Sequence, residues 1–361
     1  MTKARTNASA SPAVGRNMVI NGAMNVAQRS TSVTGLGATG VYATCDRFQI
    51  NGSSANAGRL TVTQTADGPN GISANCLKLD CTTADTSIAA GEFLLVQHGI
   101  EGQNVQRIGK GVAGAKQVTL SFYVKASAAF TFGVELEDDD NGRQITKLYN
   151  TTTDWVRHEI VFPADVDDGS SPFDDDNAKS LTINFWLHGG ATYTGGTLNT
   201  AAFANTTQAN RAPGIDSFFS DAANNFFITG VQLEVGPVAT EFEQEDISTT
   251  LAKCQRYYQK WLADTTYDSV ATGSAVGDVL FIAGYGLRQT MRAVPTLAAT
   301  GSFEGFIAAN GRSASNISIN RATKDTVGIA CTIADNNENG ISGIFRIAND
   351  DDGFIEFIAE L

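Results

Sequence analysis

Three stretches decide the fold: VTLSFYV over residues 118–124, FTFGVELE over 130–137 and LTINFWLH over 181–188. In the first, Val118, Leu120, Phe122 and Val124 fall on one side of an extended chain, and in the second Phe130, Phe132, Val134 and Leu136 do the same. Successive side chains of a strand point to opposite faces, so this period of two marks strands with one face in a core. Outward in both directions the theme repeats in LTVTQ from Leu60, LKLDC from Leu77, FLLVQ from Phe93, WVRHEIVF from Trp155 and VQLEV from Val231, with Gly, Asp and Asn clusters between them. Many short strands separated by turn residues predict a jelly roll or other antiparallel sandwich.

One segment breaks the period. From Ile247 to Trp261 the apolar positions Ile247, Leu251, Cys254, Tyr258 and Trp261 are spaced four, three, four and three; Glu243, Glu245 and Asp246 precede them, and Lys253, Arg256 and Lys260 lie toward the far end. The spacing predicts one amphipathic helix whose charges complement its dipole. Such a stripe either lies on a sheet of its own chain or forms the seam of a coiled coil. Alternation then returns in VLFI from Val279, FEGFI from Phe303, VGIACTI from Val327 and FIEFI from Phe354. The expected architecture is all-β: an arm over 1–16, a jelly roll over 17–245, a connecting helix over 246–263 and a smaller C-terminal β-sandwich over 264–361. No period of about 20 residues or more appears, which disfavours a parallel β-helix.

Composition agrees. The 361 residues are 42% apolar and 17% charged, enough for two packed domains. A balance of 25 basic against 38 acidic residues leaves a net charge of −13, which repels a polyanion, so nucleic acid is not an expected partner. No apolar run approaches the roughly 20 residues that span a bilayer, so no membrane insertion is expected. The opening MTKARTNASASPAVGRN lacks the hydrophobic stretch of a secretory signal, which implies synthesis into a cytoplasm. Cys45, Cys76, Cys81, Cys254 and Cys331 are odd in number and form no CxxC pair, so packed, reduced thiols are expected. Residues 1–16 carry too little apolar surface to order themselves, and are expected to anchor in a neighbouring subunit or larger assembly.

NMVINGAMNVAQRSTS (17–32) followed by CDRFQI (45–50) resembles the opening of a family of bacteriophage virion proteins in which an N-x-x-I-N-G element leads to an Asp-Arg-aromatic motif; Phe48 stands where that family often has Trp. VTLSFYVKAS (118–127), TTTDWVRHEIVFPA (151–164) and ITGVQLEVGPVATEFE (228–243) look like strands of the jelly rolls in carbohydrate-binding modules. LEVGPVATEFE together with LAKCQRYYQK (251–260) is similar to tail-fibre and other structural proteins of marine tailed phages, and MRAVPT (291–296) and the final AEL fit the same pattern. The resemblance spans Asn17 to Tyr258 and thins beyond. It implies a virion component, most simply a tail fibre contributing to host-surface glycan recognition, assembled as a homotrimer with other virion proteins. Ile247, Leu251, Cys254, Tyr258 and Trp261 then become the oligomer seam. A capsid-decorating or head-fibre role is the alternative within the same fold, and a polysaccharide-degrading enzyme lies further off.

Several motifs carry the residue types of functional sites. GLGATG (35–40) satisfies GxGxxG but lacks the strand before it and the helix after it that hold a pyrophosphate, so no dinucleotide cofactor is expected. His98, His158 and His188 lie on separate strands without a metal-binding partner, and no GxSxG elbow accompanies them. Glu135 and Glu137 share a strand face, roughly 7 Å apart, the spacing that tempts a glycosidase reading; carboxylates on a solvated face are the commoner case, and no catalytic residue is expected. Glu137, Asp139 and Asn141 copy the first half of a calcium loop, with Leu148 where the closing Glu should stand; they are the candidate ligands of a structural calcium, set against an ordinary solvated turn. In LTINFWLH the inward face takes Leu181, Ile183, Phe185 and Leu187, leaving Asn184, Trp186 and His188 on the other. A Trp among hydrogen-bonding groups suits a pyranose, so these three are the candidate glycan residues unless a loop, domain or subunit covers the ring.

Overall fold

The protein is described by a computed structural model covering residues 15–166, 172–277, 279–333 and 339–361. The expected anchoring arm therefore lies outside the described residues except for Gly15 and Arg16. The chain divides into two compact units, one reaching Thr250 and including Leu361, the other Leu251–Glu360.

The strands of the first unit are β1 (Ser32–Leu36), β2 (Val41–Tyr42), β3 (Gln49–Gly52), β4 (Arg59–Thr65), β5 (Cys76–Thr83), β6 (Phe93–Glu101), β7 (Val118–Ala126), β8 (Thr131–Asp138), β9 (Arg143–Asn150), β10 (Val156–Phe162), β11 (Lys179–Gly189), β12 (Ala204–Asn205) and β13 (Asn225–Val235). Six form one antiparallel sheet in the order β1-β4-β5-β13-β7-β10, and seven form the other, β12-β9-β8-β11-β6-β3-β2. This is the expected β-sandwich. The alternating apolar residues of both sheets meet in a single core that includes Leu120, Phe122, Val134, Leu136, Ile183, Phe185 and Leu233. At its centre Phe122 of the six-stranded sheet meets Tyr149 (5.1 Å) and Phe185 (5.0 Å) of the seven-stranded sheet edge to face, the arrangement that ring quadrupoles favour.

The N-terminal motif is structural. Asn17 Nδ2 donates to the Val231 carbonyl while its Oδ1 accepts from the Val19 and Leu233 N–H groups. Asn21, at a left-handed φ of 61°, donates to the carbonyls of Val26 and Asp46 and accepts from Val26 N–H; asparagine is among the few side-chain-bearing residues that tolerate this conformation. The Asp46 carboxylate accepts from the backbone and side chain of Gln28. This segment lays Ile20 against His98 of β6, whose Nε2 stands 3.2 Å from both the N–H and the C=O of Ile20 and serves either according to tautomer.

The predicted helix is shorter than its stripe. Helix α1 runs Ile247–Gln255, and the chain re-enters a strand at Tyr258. Tyr258 and Trp261 therefore belong to β14 (Tyr258–Leu262), where an interval of three places them on opposite faces: Tyr258 is buried and hydrogen-bonds Glu356, and Trp261 packs near Phe303. Ile247, at the other end of the supposed seam, is 53% exposed, and Cys254 is buried. The aromatic run Tyr257-Tyr258-Gln-Lys-Trp suits a pleated, half-buried surface better than a helix, and pairing with the last strand satisfies its backbone. No continuous coiled-coil seam exists along these five residues.

The remaining strands are β15 (Ser269–Val276), β16 (Leu280–Gly286), β17 (Thr296–Thr300), β18 (Phe303–Ile307), β19 (Asn310–Ala322), β20 (Thr326–Ile333), β21 (Ser342–Ile347) and β22 (Phe354–Ile358). A three-stranded sheet runs β14-β22-β17, and the other six strands close on themselves in the order β15-β16-β20-β19-β18-β21. A smaller β unit follows the helix, but in place of the expected sandwich of two open sheets its larger sheet closes into a barrel. All five cysteines are free and buried.

His98 yields a pH test. Burial pushes its pKa from 6.5 down to about 3, with the nearby Arg47 charge adding to the effect. Below pH 6.5 the unfolded chain binds a proton that the native state refuses. Stability should therefore fall as pH drops from 6.5 toward 3, with this one group contributing about 1.4 kcal/mol per pH unit. Denaturant melts across that range should show the slope reduced in His98→Gln; an unchanged slope would assign it to other groups.

Candidate functional site

The outward side chains of the seven-stranded sheet form rows set by strand register. One row runs Tyr42, Gln49, Gln97, Asn184, Glu135, Thr146 across β2, β3, β6, β11, β8 and β9. A second holds Gly99, Thr182, Glu137 and Gln144, and a third Asn51, Leu95, Trp186, Gly133 and Leu148. A hydrogen-bonded chain crosses them. Asn51 Nδ2 donates to Gln97 Oε1 (2.7 Å), Gln97 Nε2 to Asn184 Oδ1 (2.5 Å), and Asn184 Nδ2 to Glu135 Oε2 (2.9 Å) and Glu137 Oε2 (2.8 Å). At its end Arg211 Nη2 lies 2.6 Å from both of those carboxylate oxygens, and its Nε donates to Glu135 Oε1 at 2.9 Å.

The structure corrects the expected glycan platform. Trp186 is 1% exposed, and Asn184 and His188 are fully buried. The Trp186 ring packs with Leu95 and Ala212 and against Phe93, Tyr193 and Ile215, while its Nε1 donates to Glu135 and Arg211 lies 5.2 Å over its face. The segment after β11, with a helical turn at Ala191–Thr194 and Arg211 near its far end, folds back over the sheet. Strand alternation placed Trp186 on the outward face correctly; it could not show that the chain returns at Tyr193 and again at Arg211, Ala212 and Ile215 to cover it. His188 sits further along β11 between Ser217 Oγ (2.8 Å from Nδ1) and Glu92 (3.3 Å from Nε2), with its pKa pulled down chiefly by burial.

The candidate calcium ligands are already engaged and do not present a shared set of free oxygens. Glu137 is bound to Arg211 and Asn184; Asp139 is held by Lys179 (2.8 Å) and Thr182 (2.6 Å); and Asn141 turns its amide nitrogen to Asp138. Each carboxylate already has a cation, and the three residues face different partners. Among the described residues the acidic cluster with converging ligand atoms is Asp350, Asp351 and Asp352, on an exposed turn. The Glu135 and Glu137 carboxylates do converge, as their shared face predicted, but onto Arg211. Burial raises the Glu135 pKa, with the Arg211 charge opposing the rise. GLGATG begins in the last two residues of β1 and continues as the bend leading into strand β2.

Apart from Glu137, the open part of this face is built from residues that the sequence did not single out. Tyr42, Gln49 and Gln97 are half-buried, as is Glu137, and Arg29 stands 5.5 Å from the Tyr42 ring centroid. Gln49 stands in the polar phase of FQI, but Gln97 shares its phase with Phe93 and Leu95, so apolar neighbours mask it, and single polar residues in short strands do not stand out from solvated ones.

No protein-family model matches the sequence, and no curated protein matches it. Among solved structures the chain is similar to the enzymatically active domain of tailspike protein 4 of bacteriophage CBA120, at 13% identity and a TM-score of 0.32 over 61% of this chain; it spans 21% of that chain's length. It is also similar to a family 11 carbohydrate-binding module from Clostridium thermocellum in complex with a beta-1,3-1,4-mixed-linked tetrasaccharide, at 12% identity, a TM-score of 0.27 and coverage of 58% and 98%. TmCBM61 in complex with beta-1,4-galactotriose matches at 11% identity, a TM-score of 0.29 and coverage of 61% and 99%.

Two measurements check this account. Trp186→Ala should cost about 3 to 5 kcal/mol in denaturant unfolding, because it empties a buried aromatic site; a change within half a kcal/mol would mean that the ring stands in solvent. Arg211→Ala should cost a similar amount near neutral pH by stranding a buried carboxylate. That loss should shrink in mild acid, because a Glu135 whose folded pKa lies above its unfolded value takes up its proton more readily in the native state.

Proposed function

We propose that the first unit binds a glycan along the uncovered strip of its seven-stranded sheet, as the recognition element of a bacteriophage virion appendage. The observation that carries the reading is the row Tyr42, Gln49, Gln97 leading into Asn184 and Glu135. Sugar hydroxyls need donors and acceptors at fixed positions and an apolar surface for the ring. Gln97 cannot rotate freely, because Asn51 occupies its oxygen and Asn184 its nitrogen. Neighbouring strands about 4.8 Å apart set the spacing of the groups, and Tyr42 supplies a ring at the edge. Side chains held in place before binding lose little freedom on binding. The virion role rests on the motif at Asn17–Gln28 and Asp46–Phe48. A homotrimeric appendage would multiply weak contacts into avidity, through surfaces other than the α1 stripe.

Gln49→Ala and Tyr42→Ala should each weaken glycan binding roughly tenfold, measured by titration with whichever oligosaccharide a glycan array returns. Melting temperatures should stay near that of the wild type, because both side chains are half-open. Binding unaffected by either change would move the site off this face, and antibody labelling of capsids rather than tails would assign the protein to the head.

A further inference from the structure

Away from that strip, Lys110 and Asp138 meet inside the first unit. Lys110 follows a helical turn at Gln106–Ile108, and Asp138 closes β8. Lys110 Nζ lies 2.5 Å from Asp138 Oδ2, with 2% and 0% of their side chains exposed. Their surroundings are mostly apolar: Ile108, Leu136, Leu181 and Phe203 line a cavity of about 20 Å³ beside them, which Lys116 and Asp165 also border, and the Phe173 ring centroid is 5.5 Å from Nζ. The other carboxylate oxygen, Oδ1, accepts the N–H groups of Asp140 and Asn141, each at 3.1 Å.

We propose that Lys110 and Asp138 become joined by an isopeptide bond between Nζ and Cγ. One proton passes from the ammonium to Oδ2 across the short contact, leaving a neutral amine facing a carboxylic acid. The nitrogen lone pair attacks Cγ, and the negative charge that develops on Oδ1 is met by the two backbone N–H groups, donors already aimed at that oxygen. The Cγ–Oδ2 bond then breaks. Oδ2 leaves as water, carrying the transferred proton and a second one from the nitrogen, so both hydrogens of the water come from the original ammonium and one remains on the amide. No electron is gained or lost overall. A buried ion pair carries a desolvation cost that its attraction does not always recover, and condensation removes both charges. The cavity is large enough for about one water, the product to be released.

Mass spectrometry of the denatured full chain tests this. The intact mass should fall below the sequence mass by one water, about 18 Da, and proteolysis should yield a branched peptide joined through Lys110 and Asp138. Ring closure at Asp67-Gly68, Asp168-Gly169 or Asp352-Gly353 would lose the same mass, so the branched peptide decides. Lys110→Arg keeps the charge but has no amine to acylate; its mass should match its sequence, and its melting temperature should drop below that of the wild type. A full-length mass in the wild-type protein, an unbranched peptide containing Lys110, or a water deficit that persists in Lys110→Arg would each overturn the cross-link.

Discussion

The carboxylate of Glu135 sits on the seven-stranded sheet with no access to water, and much of that side of the molecule depends on how its charge is met. An unpaired buried carboxylate is among the costliest features a fold can hold. Arg211 answers it with two nitrogens, Asn184 and Trp186 add hydrogen bonds, and Glu137 shares the same guanidinium. Because Arg211 lies far along the chain, meeting that charge draws the segment after β11 across the sheet. The covering of Trp186 follows from the pairing.

The first unit uses this device repeatedly. Arg143 grips Asp165 through two nitrogens, Lys110 meets Asp138, and Asn17 and Asn21 bind the N-terminal segment through backbone groups. These are directional contacts that accept one geometry, whereas apolar packing tolerates many. The second unit relies on closure instead. Its six-stranded sheet joins its own edges, leaving Phe281, Phe303, Ile329 and Phe345 inside, and a closed sheet has no edge strand to protect.

Covering part of the outward face also defines what remains. The amide chain runs from the buried carboxylates out to Gln97 and Asn51, so the rigidity imposed by Arg211 reaches the uncovered end through successive hydrogen bonds. The interaction that removes Trp186 from the surface is the same one that orients the side chains still available to a ligand.

Sequence by itself determined the strands and their inward faces. Val118, Leu120, Phe122 and Val124 are buried as alternation required, as are Ile183 and Phe185, because a period of two leaves a strand no other way to hide its apolar half. It determined as well that Asn184 and Trp186 oppose that face, and that Glu135 and Glu137 lie together; it missed the register shift after Trp186, which sets His188 opposite the core residue Leu94 and against the Phe219 ring. Local pattern could not decide whether the opposing face meets water, since that depends on Arg211 arriving from another part of the chain. Nor could it decide where α1 ends, because the four-and-three spacing through Tyr258 and Trp261 fits a helix while pairing with β22 makes the same residues a strand. The closure of the barrel and the meeting of Lys110 with Asp138 are likewise long-range events. Periodicity records which side of an element is apolar; tertiary structure alone decides what comes to lie against the polar side.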